Sequence, residues 1–201
     1  MLTFDPATTA FVICDMQNDF LHNDGAYGRA DQKNASIAAL VPRQAEVAAA
    51  ARAAGAWIVS THFTMVPMKG GEPYISDHLK KLRPFLKKGD FMPGSWGQAL
   101  VDELQPADLT VEKVAFSAFF NSRLEWGLRK AGLETLIFGG IVTNGGVAST
   151  VRDAHVRDFR CIVLEDGCAA FNKKSHVDTI GSLSTIATIA SCADVAAAFR
   201  G

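Results

Sequence analysis

Neither sign of charge dominates this sequence, and it has no long apolar run. The 201 residues include 20 Lys and Arg against 21 Asp and Glu, so the formal net charge at pH 7 is −1. A chain without a basic surplus has no overall field that attracts nucleic acid phosphates or anionic lipids. No uninterrupted apolar run approaches the roughly 18 residues that span a bilayer. We therefore expect neither nucleic acid nor a membrane as a partner.

The sequence also lacks a secretory signal and a paired-cysteine motif. Its first fifteen residues contain no basic segment followed by a long apolar one, so we expect a cytoplasmic location. The cysteines at positions 14, 161, 168 and 192 form no CxxC pair and lie mostly in or beside apolar runs. This placement predicts buried free thiols. His62 has no second His or acidic residue at ligand spacing, so we expect no metal and no cofactor.

Short apolar segments alternate with helical ones along the chain. Apolar residues make up 48% of the sequence, and a chain of this length predicts one domain over residues 1–201. The short segments do not alternate polar with apolar residues, which predicts strands buried on both faces of a parallel sheet. The predicted strands are 10–14, 56–60, 109–111, 135–138, 161–164 and 186–191. The predicted helices are 35–54, 123–131, 147–157, 175–185 and 193–199.

Residues 65–97 fit neither pattern, because prolines and glycines interrupt any period there. A long irregular segment in a compact domain is often a functional lid. We therefore expect this segment to cross the surface above the sheet.

Two charged residues end predicted strands and are candidates for a site. Ligands of doubly wound sheets bind outside the carboxyl ends of the strands. Asp15 follows the first strand and Lys113 follows the third. Taken alone, each has an ordinary interpretation, as a helix or turn cap and as a solvated charge. If the two converge, their ion pair sets the protonation state of the carboxyl group, which is a functional arrangement.

A glycine-rich segment between the fourth strand and the next helix is the third candidate. Residues 139–147 (GGIVTNGGV) place Asn144 where a helix N-cap is expected, and Gly145 and Gly146 expose backbone N–H groups at the helix start. An anion or oxyanion could bind there. Gly146 stands where the Walker A phosphate-binding loop requires Lys, and the segment does not match the GxGxxG motif of dinucleotide-binding proteins. Both mismatches argue against a nucleotide as the ligand.

Three segments together resemble the isochorismatase-like superfamily, which includes nicotinamidases, carbamoylsarcosine amidases, ureidoacrylate hydrolases and isochorismatases. The resemblance implies a six-stranded parallel sheet of order 3-2-1-4-5-6 with helices on both sides, and commonly a homodimer or higher oligomer. It implies that Asp15 and Lys113 are the catalytic aspartate and lysine, and that Val142-Thr143 is the family's cis peptide. The segments are residues 12–20 (VICDMQNDF), 113–119 (KVAFSAF) and 140–154 (GIVTNGGVASTVRDA).

The chain departs from the amidases of this superfamily at Gly146. Amidase members place a nucleophilic cysteine there, and glycine has no side chain to attack a carbonyl. Isochorismatases resemble this chain in having glycine, and in their chemistry a protonated aspartic acid acts on an enol ether. Thr143-Asn144, however, is more similar to the amidase motif. The candidate substrate or oxyanion residues are Gln17, His62, Val142, Thr143, Asn144 and Gly145.

These features leave three hypotheses for the function. The first is a hydrolase of a small molecule that forms no covalent cysteine intermediate, with Asp15 as general acid or base and Lys113 tuning it. The second is an amidase-type protein that has lost its cysteine and binds without turnover. The third is a non-catalytic binding protein on the same scaffold, in which Gly145 and Gly146 simply allow close packing.

Overall fold

A six-stranded sheet forms the centre of the protein, as a computed structural model of residues 2–201 shows. Its strand order is β3-β2-β1-β4-β5-β6, and every neighbouring pair is parallel. The fold class and strand order predicted above are confirmed. The strands are β1 (Thr9–Cys14), β2 (Trp57–Phe63), β3 (Leu109–Lys113), β4 (Thr135–Ile141), β5 (Arg160–Ala169) and β6 (Thr188–Ala190).

Helices connect the strands and cover both faces of the sheet. The first four are α1 (Asn18–Leu21), α2 (Ala26–Arg29), α3 (Ala35–Ala38) and α4 (Leu40–Ala53). The others are α5 (Asp77–Leu82), α6 (Leu124–Lys130), α7 (Ala148–His155), α8 (Lys173–Leu183) and α9 (Cys192–Arg200). In residues 2–201, no helix is long and apolar enough to cross a membrane.

The core consists of two apolar layers, one on each side of the sheet. Alternate residues of β1 enter opposite layers, so that Phe11 and Ile13 pack with α4 and α9, whereas Val12 and Cys14 pack with α6 and α7. Each fully buried Val, Leu, Ile or Phe side chain stabilises the fold by about 1.5 to 3 kcal/mol. Burial on both faces explains why the strand sequences do not alternate.

The fourth strand is longer than the sequence predicted. The sequence predicts an end at Phe138, but the strand continues through two glycines to Ile141. Gly140 has a φ of 118°, and a Cβ there would lie 2.1 Å from the carbonyl oxygen of Cys14 on β1. The glycine therefore permits close contact with β1 and does not end the strand.

Two other predicted elements have different boundaries in the structure. The helical segment 35–54 is divided into α3 and α4 at Ala39, and Asn34 caps α3 by accepting from the N–H of Ser36 at 2.9 Å. The irregular segment 65–97 contains one short helix, α5. Its far end is fixed to the body of the protein, because Phe91 N–H donates to Asp19 Oδ2 at 2.6 Å.

Candidate active site

Asp15 lies immediately after β1, at the carboxyl edge of the sheet. Its backbone has a φ of 56°, in the left-handed region. Two backbone hydrogen bonds hold this conformation, since Asp15 N–H donates to Thr61 O at 2.9 Å and Asp15 O accepts from Gln17 N–H at 2.9 Å. The side chain is buried, and the Thr61 hydroxyl donates to its Oδ1 at 3.3 Å.

Lys113 ends β3, and its side chain passes the end of β2 to reach Asp15. The Lys113 Nζ lies 2.8 Å from Asp15 Oδ2 and also donates to Ala115 O at 3.1 Å. The ring of Phe63 lies 5.8 Å from the same ammonium group. Lys113 is 3% exposed and Asp15 is 5% exposed, so this ion pair is almost completely shielded from water.

Burial raises the pKa of the Asp15 carboxyl group above its ordinary value, because desolvation disfavours the charged form. The Lys113 ammonium and the Thr61 hydroxyl act in the opposite direction, since both stabilise the carboxylate. The protonation state of Asp15 is therefore set by this pair and by its exclusion from water. A carboxyl group whose pKa is raised in this way is a candidate for general acid or base.

Gly146 lies beside the Asp15 and Lys113 side chains. It belongs to a turn of residues 143–147, with π-helical hydrogen bonding, which we call the glycine turn. A Cβ at Gly146 would stand 3.0 Å from Asp15 Oδ2, 3.1 Å from Ile141 O and 3.5 Å from Lys113 Nζ. Any group at this point therefore has two oxygen acceptors and one ammonium donor around it.

The glycine turn corrects two expectations about its residues. The non-proline cis bond joins Ile141 to Val142, one residue before the expected Val142-Thr143 bond. The side chain of Asn144 does not cap a helix, because the turn delays the start of α7 to Ala148. Asn144 is instead exposed to solvent.

Backbone contacts inside the glycine turn limit its use as an oxyanion site. Gly145 N–H already donates to Val142 O at 3.0 Å, so an oxyanion would compete with that carbonyl. The hydroxyl of Thr150 donates to Gly146 O at 2.7 Å and accepts from Ala118 N–H at 3.1 Å. Thr150 therefore connects the turn to the segment that follows Lys113.

The side chain of Gln17 is used within the protein. Its Nε2 donates to Phe63 O and to Gln98 O, both at 2.9 Å, and its Oε1 accepts from Phe63 N–H at 2.8 Å. Gln17 thereby fixes the end of β2 and the end of the irregular segment. Both donors of the amide have partners, which favours a supporting role over the predicted contact with substrate.

His62 faces away from Asp15. Successive residues of a strand point to opposite faces, and the neighbouring Thr61 is the one that contacts Asp15. The His62 Nε2 lies 2.8 Å from the Ser60 hydroxyl, and burial lowers the pKa of His62 to about 4. Thr61, and not the predicted His62, is therefore the residue of β2 that contacts Asp15. Strand alternation from Asp15 outward would have indicated Thr61.

The cysteines lie in the interior of the protein. All four are free and buried, as predicted. Cys14 precedes Asp15, and burial raises the pKa of its thiol to about 12, which keeps it protonated. Within residues 2–201, no group of three or more His, Cys, Asp or Glu side chains is placed to hold a metal ion.

Two comparisons relate the chain to known proteins by sequence. The isochorismatase domain family matches residues 9–196. The ureidoacrylate amidohydrolase of Methylorubrum extorquens is 35% identical over 176 residues, which cover 82% of this chain and 71% of that protein. The family match spans the segments that carry Asp15, Lys113 and Gly146.

Solved structures share the fold over nearly the whole chain. A cysteine hydrolase from Pseudomonas syringae pv. phaseolicola has a TM-score of 0.83 at 23% identity and covers 100% of this chain and 96% of its own. An N-carbamoylsarcosine amidase from Thermoplasma acidophilum has a TM-score of 0.72 at 26% identity and covers 92% of this chain and 96% of its own.

Proposed function

Since this chain belongs to the isochorismatase domain family of hydrolases, we propose that it hydrolyses a small molecule with water as the direct nucleophile. Asp15 is the general acid and base of the reaction, and Lys113 holds and tunes its carboxyl group. No covalent bond forms between protein and substrate, because residue 146 has no side chain that could attack.

The observation that carries this proposal is the surroundings of Gly146. Because Gly146 has no side chain, we place the water on the side of this residue where a Cβ would stand 3.0 Å from Asp15 Oδ2 and 3.1 Å from Ile141 O. The water lies beyond the Cβ position, at van der Waals distance from the Gly146 Cα, and donates a proton to Asp15 Oδ2. Lys113 Nζ, at 3.5 Å, supplies positive charge on the same side. A buried water is stable when it has two to four polar partners, and the polar groups around this point are the Asp15 carboxyl group, the Ile141 carbonyl and the Lys113 ammonium group.

Asp15 can carry the proton in the hydrolysis of an amide or of an enol ether, in opposite order. With an amide, the water oxygen bonds to the carbonyl carbon while Asp15 takes a proton from the water; Asp15 then gives this proton to the nitrogen, the C–N bond breaks, and the amine leaves. With an enol ether, Asp15 first donates its proton to carbon, and water then adds to the resulting cation and returns a proton to the carboxylate. The hemiketal so formed breaks its ether C–O bond and releases the alcohol and a ketone, the hydroxyl proton of the adduct passing to the leaving oxygen. The raised pKa of Asp15 supports both routes, since each needs the protonated and the ionised form in turn.

Turnover assays with a panel of substrates test this proposal. The panel contains ureidoacrylate, N-carbamoylsarcosine and isochorismate. We expect hydrolysis of at least one compound, and we expect Asp15→Asn to lower its rate by at least about 100-fold, the usual contribution of acid–base catalysis. Asp24→Asn removes an exposed carboxylate and is the matched control. Turnover that is unchanged by Asp15→Asn would falsify the proposal.

Mass spectrometry during turnover tests the nucleophile separately. Direct attack by water predicts that the intact mass of the protein stays constant while substrate is consumed. An adduct of substrate mass that accumulates before product release would contradict this mechanism.

A second candidate is an amidase scaffold that lacks its thiol, which the likeness to the ureidoacrylate amidohydrolase favours. Gly146→Cys tests it, because the new side chain would begin beside Asp15 and Lys113. Gain of amide hydrolysis together with thiol labelling at residue 146 supports the amidase scaffold. A third outcome would support a non-catalytic binding protein. In that case neither the wild type nor Gly146→Cys hydrolyses any compound, but a compound raises the melting temperature of the wild type.

A further inference from the structure

The glycine turn is attached to its surroundings by side chains on two sides. On one side, Thr150 connects Gly146 O to Ala118 N–H, as described above. On the other side, the hydroxyl of Thr143 lies 2.8 Å from Nδ1 of His176, which is in the first turn of α8. Thr143 is completely buried, so its hydroxyl has no access to bulk water. His176 is the polar group that satisfies it.

This second attachment matters because the turn has little rigidity of its own. Glycine restricts the backbone less than any other residue, and two glycines follow each other at 145 and 146. Neither the turn nor α7 has a side-chain cap. The place of Gly146 relative to Asp15 therefore depends on contacts with neighbouring elements, and small displacements of reacting groups can reduce rates strongly.

We propose that His176 is a positioning residue, which holds the glycine turn against Asp15 through the hydroxyl of Thr143. His176 does not touch the position at which we place the nucleophilic water. Its influence on the rate rests on the proposed function, whereas its influence on the geometry of the turn does not.

His176 also makes the turn sensitive to pH. Its side chain lines a surface cavity of about 260 Å³ together with Glu165 and Asp166 on β5, so solvent protons can reach the ring. On α8 itself, Lys174 forms an ion pair with Asp178 at 2.5 Å. Burial lowers the pKa of His176 below its ordinary value, and the negative charge of Glu165 opposes this.

Protonation changes what the imidazole can do for Thr143. In the neutral ring, Nδ1 either accepts the hydroxyl proton of Thr143 or donates its own, depending on the tautomer. In the protonated ring, Nδ1 can only donate, and the hydroxyl proton of the buried Thr143 must find another acceptor. We therefore expect the turn to shift as pH falls through the pKa of His176.

Nuclear magnetic resonance tests the geometric part without any substrate. The amide resonances of Gly145 and Gly146 are followed in the wild type while the His176 ring is titrated. We expect the glycine resonances to shift with the same midpoint as the ring, and we expect this shift to be absent in Thr143→Val. Thr143→Ser keeps the hydroxyl and should retain the shift. Glycine resonances that do not move with the titration of His176 would overturn the proposal.

Kinetics test the catalytic part with whichever compound of the panel the wild type hydrolyses. We expect His176→Ala to lower kcat by about 10-fold or more with a change in KM of less than about 3-fold, since positioning and not binding is lost. His176→Asn places a polar atom near the Nδ1 position and should recover part of the rate. Because asparagine does not titrate, this variant should also lose the decrease in kcat at acid pH that protonation of His176 causes. His155→Ala, at an exposed histidine of α7, is the control. If wild type is active and His176→Ala is unchanged in kcat and in its glycine resonances, the inference fails while the proposed hydrolase stands.

Discussion

The Nζ atom of Lys113 lies 2.8 Å from Oδ2 of Asp15, and both side chains are withdrawn from solvent. A buried ion pair contributes little net stability, because desolvation offsets the attraction. Removal of only one of the two partners is nevertheless costly, since an unpaired charge remains in the interior. The pair is therefore a sensitive test of how the carboxyl group is held.

Lys113→Met should destabilise the protein more at pH 8 than at pH 5. Without the ammonium, the pKa of Asp15 rises further, so the carboxyl group is neutral in the folded state at low pH and costs little there. As pH rises through that pKa, the fold must either bury an unpaired charge or keep binding a proton that the unfolded state releases. We expect a loss of about 3 to 5 kcal/mol at pH 8 in urea unfolding.

Lys174→Met is the control for this experiment. Lys174 forms an exposed pair with Asp178, and such pairs contribute at most about 1 kcal/mol. A similar loss in both variants, or a loss at Lys113 that does not depend on pH, would contradict the account of the Asp15 pair.

His62 should make the fold sensitive to acid. Its pKa is about 4 in the folded state and near 6.5 in an unfolded chain, so the unfolded state binds the extra proton as pH falls between these values. The free energy of unfolding should therefore decrease by up to about 3 kcal/mol from pH 6.5 to pH 4 on account of this residue. Urea titrations of His62→Gln should show a shallower decrease, while exposed His78→Gln should follow the wild type.

Gln17→Leu should affect stability, because the amide makes three hydrogen bonds to the backbone of Phe63 and Gln98. Each buried backbone group left without a partner costs about 1 to 3 kcal/mol. We expect a loss of about 3 kcal/mol or more in thermal or urea unfolding. Gln32→Leu, at an exposed glutamine, should change stability by less than about 0.5 kcal/mol. A stable Gln17→Leu variant with a raised KM would instead indicate direct contact with substrate.

A methyl group should have opposite effects on stability at two glycines. At Gly146 it would stand 3.0 Å from Asp15 Oδ2, so the neighbours must shift, and overpacking of this kind costs about 1 to 3 kcal/mol. At Gly181, within α8, no heavy atom outside the local helix lies within 4 Å of the added Cβ. Gly181→Ala should stabilise the protein by about 0.5 to 1 kcal/mol, since alanine favours the helix. Calorimetry that gives both variants the same sign would contradict the packing described at Gly146.

The convergence of Asp15 and Lys113 could be predicted, because both follow strands of a parallel sheet whose carboxyl ends share one edge. The fold class followed from the same alternation of strands and helices. These are regularities of local sequence, and they repeat along the chain.

Contacts between distant segments could not be predicted in this way. Thr143 and His176 are 33 residues apart, and nothing local to either residue indicates that they meet. The amide of Gln17 looked available for substrate because its partners, Phe63 and Gln98, come from other segments. Asn144 resembled an N-cap, but the π-helical turn moved the helix start beyond it.

The rate of hydrolysis by Gly146→Ala, compared with wild type on the substrate found in the panel, tests the central claim most directly. The added methyl group would stand 3.0 Å from Asp15 Oδ2, between the Gly146 Cα and the place assigned to the water, and would displace the water. The account predicts a folded protein whose kcat is lower by at least about 100-fold, the contribution expected from acid–base catalysis on a positioned water. A folded Gly146→Ala variant with the rate of the wild type would show that no nucleophilic water is bound there.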